Sequence, residues 1–251
     1  MHSHLLVALF AIFAVTAVTV ACGSDDGNER RVISIVQSDE ACSPTQIEIL
    51  GGERLTFAVK NEGKRDQEIE GIDGTKLEEV LIPSGKTRNI NYTAPQAAGL
   101  QKFKCYAPGG QSTIIEATVS GTAANAGKAD SSKISEKSYV TTKAPNSRIG
   151  VSLESYSVKL DTGTGKKGPI QFSAINMSKT ETHELAVLRV KSDGTFENTG
   201  ETEDIAPGKS GDVVLDLPAG KYVLACLIAP GEAGSTQDHF KLGMRTDFTI
   251  Q

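Results

Sequence analysis

Three blocks of this chain occur twice, in the same order. Phe57-Ala-Val-Lys-Asn61 aligns without a gap on Phe172-Ser-Ala-Ile-Asn176, and Ile82-Pro-Ser-Gly-Lys-Thr87 aligns on Ile205-Ala-Pro-Gly-Lys-Ser210. Lys104-Cys105-Tyr-Ala-Pro-Gly109 then matches Ala225-Cys226-Leu-Ile-Ala-Pro-Gly231, and the two series close on strand-like runs at 115–119 and 247–250. Shared order and chemistry across three blocks mark a tandem duplication. Such a chain folds one unit of about 100 residues twice, an ordinary domain size. The unit is built of strands, because the blocks lie in short runs of period two punctuated by Gly, Pro and Asn.

Those runs fall at 32–36, 46–50, 55–60, 86–92, 100–105 and 113–119 in the first copy. In the second they fall at 151–160, 169–175, 184–190, 212–217, 221–226 and 245–250. The intervening 121–147 is rich in Ala, Ser, Thr and Lys, a composition that buries no core and suits a tether. Twenty-five Gly, nine Pro and no sustained heptad exclude a helical bundle, and helical signal is confined to one turn near 76–80. With eight Phe, five Tyr and no Trp, the cores must be mostly Val, Ile and Leu. The expected fold is all-β: two tandem Greek-key β-sandwich domains, 32–120 and 149–251, joined by a polar linker over 121–148.

Residues 5–21 are apolar apart from Thr16 and Thr19 and carry no charge. The run is short for a spanning helix and is followed at once by Gly-Ser-Asp-Asp, so it reads as a signal-peptide core. Its end, Thr19-Val20-Ala21-Cys22-Gly23-Ser24, resembles the bacterial lipoprotein signal. The resemblance implies a signal peptide over 1–21, lipidation of Cys22 and a tether over 22–31. It also implies an extracytoplasmic protein, periplasmic or at the cell surface, lipid-anchored to a membrane. An uncleaved anchor, or a signal cut elsewhere, would export the body equally. Disulfides are permitted in that setting. The formal charge of −5 provides no basic surface for phosphate backbones, so nucleic acid is not an expected partner.

Histidine and methionine are scarce, which makes their positions informative. Beyond the leader the chain has only His183 and His239, and only Met177 and Met244. In the second copy His183 opens a strand, Cys226 closes another, and His239-Phe-Lys-Leu-Gly-Met244 precedes the last. Two imidazoles, a thiolate and a weak axial thioether are the ligand set of a blue-copper electron-transfer site. Packing or solvation is the ordinary role of a lone His or Met, but both mature histidines fall on this one pattern. The Gly-Lys-Thr and Gly-Lys-Ser pieces are interstrand turns. The glycine that a phosphate loop needs five residues earlier is Val80 in one copy and Glu203 in the other. No His-Glu-x-x-His pair or Gly-x-Ser-x-Gly elbow occurs.

The order His183…Cys226…His239…Met244 resembles the plastocyanin-like cupredoxins over residues 149–251. So do Asp204-Ile-Ala-Pro-Gly208 and Pro218-Ala-Gly-Lys-Tyr-Val-Leu-Ala-Cys226. That resemblance implies His183, Cys226, His239 and Met244 as ligands of one copper in the C-terminal domain, with His239 as the exposed edge for electron entry. Twelve residues separate Cys226 from His239, where two to four are common, which predicts a long, flexible loop.

Residues 32–120 keep Cys105 but contain no His or Met. Extending the Phe57/Phe172 match without a gap puts Glu68 opposite His183, and a shift of one puts Gln67 there. The stretch 62–74, with Ala41-Cys-Ser-Pro44 and Lys104-Cys105, resembles the cupredoxin-like domain of bacterial periplasmic iron-uptake proteins. By that resemblance Cys42, Glu68 and Cys105 are candidates for a second metal. The alternative is a Cys42–Cys105 disulfide, which leaves Cys226 as the odd thiol for a metal.

The leading expectation is therefore a membrane-tethered copper protein performing outer-sphere electron transfer. Its partners would be redox proteins or a metal transporter. Two His do not supply a multicopper centre, so no enzyme activity is expected. Copper or iron delivery, and a metal-free interaction module, are the alternatives.

Overall fold

The computed structural model describes residues 30–124, 126 and 139–251. The signal-like segment, Cys22 and most of the linker lie outside the described residues. Among the described residues every regular element is a strand, and no helix is long and apolar enough to cross a membrane.

The first sandwich contains β1 (Arg31–Gln37), β2 (Cys42–Ser43), β3 (Gln46–Gly51), β4 (Arg54–Asn61), β5 (Gln67–Ile72), β6 (Val80–Ile82), β7 (Thr87–Thr93), β8 (Gly99–Tyr106) and β9 (Ser112–Thr122). The second contains β10 (Ser147–Glu154), β11 (Ser157–Leu160), β12 (Thr164–Gly165), β13 (Gly168–Asn176), β14 (Ala186–Val190), β15 (Phe196–Glu201), β16 (Ser210–Leu217), β17 (Gly220–Ala225) and β18 (Arg245–Ile250). Each sandwich faces a four-stranded sheet against a five-stranded one. The orders are β2-β1-β4-β7 over β3-β9-β8-β5-β6, and β11-β10-β13-β16 over β12-β18-β17-β14-β15. The two topologies correspond strand for strand.

Alternation sets the inward face. In β4, Leu55, Phe57, Val59 and Asn61 are buried while their neighbours are not, as a pleat of period two requires. Phe57 packs against Tyr92 and Phe103 with ring centroids 5.5 and 5.1 Å away. Its counterpart Phe172 meets Phe248 at 5.7 Å in the second core. Burying such a ring contributes about 1.5–3 kcal/mol.

The duplicated asparagines show how closely the copies agree. Asn61 Nδ2 donates to the carbonyls of Arg65 and Ile82, and its Oδ1 accepts from Gly63 N. Asn176 Nδ2 donates to Glu181 and Ile205, and its Oδ1 accepts from Ser178 N. Gly85 N donates to Asn61 O as Gly208 N does to Asn176 O. Both glycines have φ of +72°, which a left-handed turn demands and a Cβ would strain. The repeated Pro/Gly/Lys blocks are therefore turns docked on a buried amide.

The sandwiches also pack on each other. Tyr106 of the first joins Ala186, Leu188, Val223, Ala225, Leu227 and Phe240 of the second in one buried apolar cluster. Gly109 permits this approach: a Cβ there would stand 2.7 Å from both Phe196 and Phe240.

Some sequence expectations need correction. The turn near 76–80 is not helical; the chain there is irregular and enters β6 at Val80. The single run 151–160 is two strands, β10 and β11, separated by a turn at Tyr156 with φ +62°. Strands β5, β6 and β15 were not expected. Gln67-Glu-Ile-Glu-Gly-Ile72 reads as polar because its charged residues are buried toward the second sandwich rather than solvated.

Candidate metal centre

His183 is held by a two-way main-chain pair with Ile205, at 3.1 and 2.6 Å. The same Ile205 carbonyl accepts Asn176 Nδ2, so the repeated asparagine braces the segment that carries His183. Cys226 follows the end of β17 and donates its N–H to Met244 O. His239 N donates to Ile228 O, and Met244 N donates to His239 O. Three separate stretches thus converge through backbone bonds.

Their side chains meet. His183 Nδ1 and His239 Nδ1 lie 3.2 Å apart, and Cys226 Sγ lies 3.3 Å from His239 Nδ1 and 4.0 Å from His183 Nδ1. A triangle with those sides has a circumradius of about 2.1 Å, so one point sits at metal-bond distance, about 2.0–2.3 Å, from all three atoms. All three residues are fully buried, as is Met244.

The protonation states fit a cation. Ser235 Oγ donates to Gln237 O, so at 3.2 Å it accepts from His239 Nε2–H and leaves Nδ1 as a lone pair facing inward. His183 Nε2 is buried without a partner. Burial, then His239, pushes the His183 pKa down to about 4, and burial lowers that of His239. Both rings are neutral at pH 7, as ligands must be. Burial first, then Glu184, pushes the Cys226 thiol well up. It is the one free cysteine among the described residues. With the His183 proton on Nε2, both Nδ1 atoms, 3.2 Å apart with a sulfur beside them, would present lone pairs that a soft divalent or monovalent ion satisfies.

His239 is not the exposed edge that the sequence suggested: it is fully buried. Tyr156 lies edge-on to it at 5.6 Å, with its hydroxyl donating to Glu181. The physical reason is the long loop, which folds back over the imidazole through Ser235.

In the first sandwich Cys42 and Cys105 form a disulfide, so Cys42, Glu68 and Cys105 are not a metal triad. Register also settles which residue stands opposite His183. Gln67 pairs with Ile82 as His183 pairs with Ile205, so the counterpart is Gln67, and Glu68 corresponds to Glu184. Glu68 is buried with Oε2 unpartnered. Gln111 Nε2 donates to Gln67 Oε1 at 2.9 Å, where His239 reaches His183 in the other copy. Thr113 pairs with Cys105 as Met244 does with Cys226. An amide pair and a disulfide therefore fill the place of the imidazole pair and the thiolate.

The sequence reading missed a buried ionic cluster beside the site. Lys104 Nζ lies 3.0 Å from Glu232, 3.3 Å from Glu70 and 3.9 Å from Glu184. Glu184 follows His183 in the chain, and its Oε1 accepts the N–H of Leu227, the residue after Cys226. The signal was present in the repeat: Lys104 stands where the second copy has Ala225.

Residues 5–115 match the family model described as Cupredoxin-like domain. No curated protein matches the chain in sequence. Among solved structures, auracyanin from Roseiflexus castenholzii is 17% identical, aligning 43% of this chain and 99% of its own (TM-score 0.33). A multicopper oxidase from Campylobacter jejuni is 10% identical over 90% of this chain and 65% of its own (TM-score 0.38). A copper nitrite reductase from Nitrosomonas europaea is 10% identical over 89% and 94% (TM-score 0.32). The expectation that the chain is not an enzyme is corrected by these neighbours, because enzymes share the fold. At such scores they decide nothing about its chemistry. The match to the Cupredoxin-like domain model thus covers under half of the chain, in its first sandwich, and the second sandwich repeats the strand topology of the first.

Proposed function

We propose that the second sandwich holds one copper ion between His183, Cys226 and His239, with Met244 as the weak fourth group, and that the protein transfers single electrons. The Nδ1–Nδ1–Sγ triangle carries this reading, because its centre lies at bonding distance from three soft or borderline donors. Copper bound there would supply a one-electron couple. The chain's own part is to keep both imidazoles neutral at Nδ1, to present Cys226 as thiolate, to exclude water, and to hold the donor segments through backbone bonds that resist movement. Tyr156, half-buried and edge-on to His239, is the side chain joining that imidazole to the surface.

The disulfide suits an oxidising compartment, which supports an extracytoplasmic location. Lipidation at Cys22 would anchor the protein to a membrane, facing redox partners or a metal transporter. Copper(II) titration of purified protein tests the function. One equivalent should produce an intense visible charge-transfer band that Cys226→Ser abolishes, with a reversible voltammetric wave. Colourless copper(I) binding without a wave would favour metal delivery instead. No copper binding at all would end the reading.

A further inference from the structure

The loop of residues 227–238, anomalously long between two proposed ligands, is bonded at its crest to the other sandwich. Lys102 Nζ donates to Gly231 O at 2.7 Å. Asp73 Oδ1 accepts from Ala233 N at 2.9 Å. Lys104 Nζ, almost fully buried, donates to Glu232 Oε1 at 3.0 Å, and Glu232 Oε2 turns back to accept Ala229 N. Three consecutive positions of the loop's crest are thus fixed by the first sandwich.

We propose that the first sandwich serves as a clamp on the metal centre of the second, with Lys104 as the positioning residue that fixes the ligand loop. The inference rests on the reading of His183, Cys226 and His239 as metal ligands.

Two routes lead from Lys104 to the site. Through Glu232, the clamp holds the turn in which Ser235 N donates to Glu232 O, and Ser235 Oγ accepts from His239 Nε2. Through Glu184, it holds a carboxylate that follows His183 and bonds the N–H after Cys226. One ammonium therefore connects to the segments beside His183 and Cys226 and, through Ser235, to the His239 ring. Burial of the lysine would disfavour its charge, but Glu184, Glu70 and Glu232 more than reverse that, so it stays ionised. An unpaired buried carboxylate is costly, so removal of the ammonium frees Glu232 and Glu184 to seek water, and the loop with them.

The clamp also accounts for the divergence of the copies. In the second sandwich the positions equivalent to Glu70 and Lys104 are Ala186 and Ala225, which lie in the apolar interface itself. The first sandwich shares the fold, lacks both imidazoles, and carries a buried charge aimed at its neighbour's loop.

The test uses the full chain with Lys104→Met, Lys104→Arg and, as a surface variant that leaves the core untouched, Asp73→Gly. Glycine tolerates the φ of +52° at position 73 and removes the acceptor for Ala233 N. In metal-free protein, amides of 227–238 should exchange at least tenfold faster in Lys104→Met and Asp73→Gly, and near wild-type rates in Lys104→Arg. In copper-loaded protein, Lys104→Met should shift the charge-transfer band, broaden the electron paramagnetic resonance signal and lower the midpoint potential, because a nearby positive charge is lost. Lys104→Arg should restore all three. Unchanged loop exchange in both folded loss variants would overturn the clamp even if copper binds. Unchanged spectra and potential in folded Lys104→Met would overturn the positioning role. Absence of the band in wild-type protein would instead sink the copper reading, while the exchange result stands on its own.

Discussion

The matched asparagines allow a controlled experiment within one molecule. Asn176→Ala removes two donations from Nδ2, at 2.8 and 2.7 Å, and the acceptance of Ser178 N by Oδ1 at 2.9 Å; the Ser178 hydroxyl, 2.7 Å from Oδ1, keeps Glu181 O as its acceptor. The Ile205 carbonyl keeps His183 N as a donor and the Glu181 carbonyl keeps Ser178 Oγ, so the cost lies in the lost bonds. At about 1 kcal/mol net for each bond, the second sandwich loses about 3 kcal/mol. Asn61→Ala removes the corresponding three bonds in the first sandwich together with the donation from Gln67 Nε2 to Oδ1 at 3.1 Å, and should cost about 3–4 kcal/mol. Asp at either position should be worse than Ala at neutral pH, because a carboxylate faces two carbonyl oxygens and donates to neither. Denaturant unfolding, with amide exchange in β4 and β13 to assign each loss to its sandwich, measures both. Only Asn176→Ala should also change the visible band, since only that amide braces the segment carrying His183. Losses below about 1 kcal/mol at both sites would refute the bracing argument. An equal spectral change from Asn61→Ala would refute its locality.

Cys42→Ala should cost the first sandwich about 4 kcal/mol, from opening a loop with a sequence separation of 63, and leave copper stoichiometry unchanged; calorimetry and copper analysis check this. Metal-free protein should lose stability as pH falls from 6.5 toward 4. The unfolded chain protonates His183 first while the folded one holds it neutral, a difference of at most about 3 kcal/mol. Urea midpoints at pH 7 and 4.5 measure it, and His183→Gln should flatten the slope. Gln67→His with Gln111→His and Cys42→Ser should create a copper site in the first sandwich. In a Cys226→Ser background, recovery of a charge-transfer band would show it, and a colourless protein with native strand content would count against the equivalence.

Much of this fold is legible in the sequence where strands face one way. Arg245–Ile250 and Gly168–Asn176 alternate cleanly, because one face meets the core and the other meets water. The pattern fails where a sheet is covered on both sides. Ala186, Val187 and Leu188 are all buried, the first and last by the interface and the middle one by the core, so no period appears. It fails again in β5, where Gln67 and Glu68 are buried although polar. Charge is read as exposure unless a partner is known, and in this buried polar seam Lys104 meets Glu232 from 128 residues away.

The clustering of His183, Cys226 and His239 was legible for a different reason: scarcity. Two histidines on one pattern carry more weight than any number of glutamates, whose role depends on neighbours that sequence order conceals. Glu184 shows the contrast. It sits beside a proposed ligand, yet its importance comes from Leu227 N and Lys104, neither near it in the chain. The repeat supplies what the single copy lacks. Once register fixes Gln67 against His183 and Cys105 against Cys226, each remaining difference between the copies becomes a question about function. Gln111 for His239 and Thr113 for Met244 would follow from loss of the proposed metal. Lys104 for Ala225 does not follow from that loss, because the side chain points away from its own core into the neighbour's loop. A duplicated domain without the donor set can instead hold its twin in shape, and a buried lysine among three carboxylates of the joint is the physical basis of the proposed clamp.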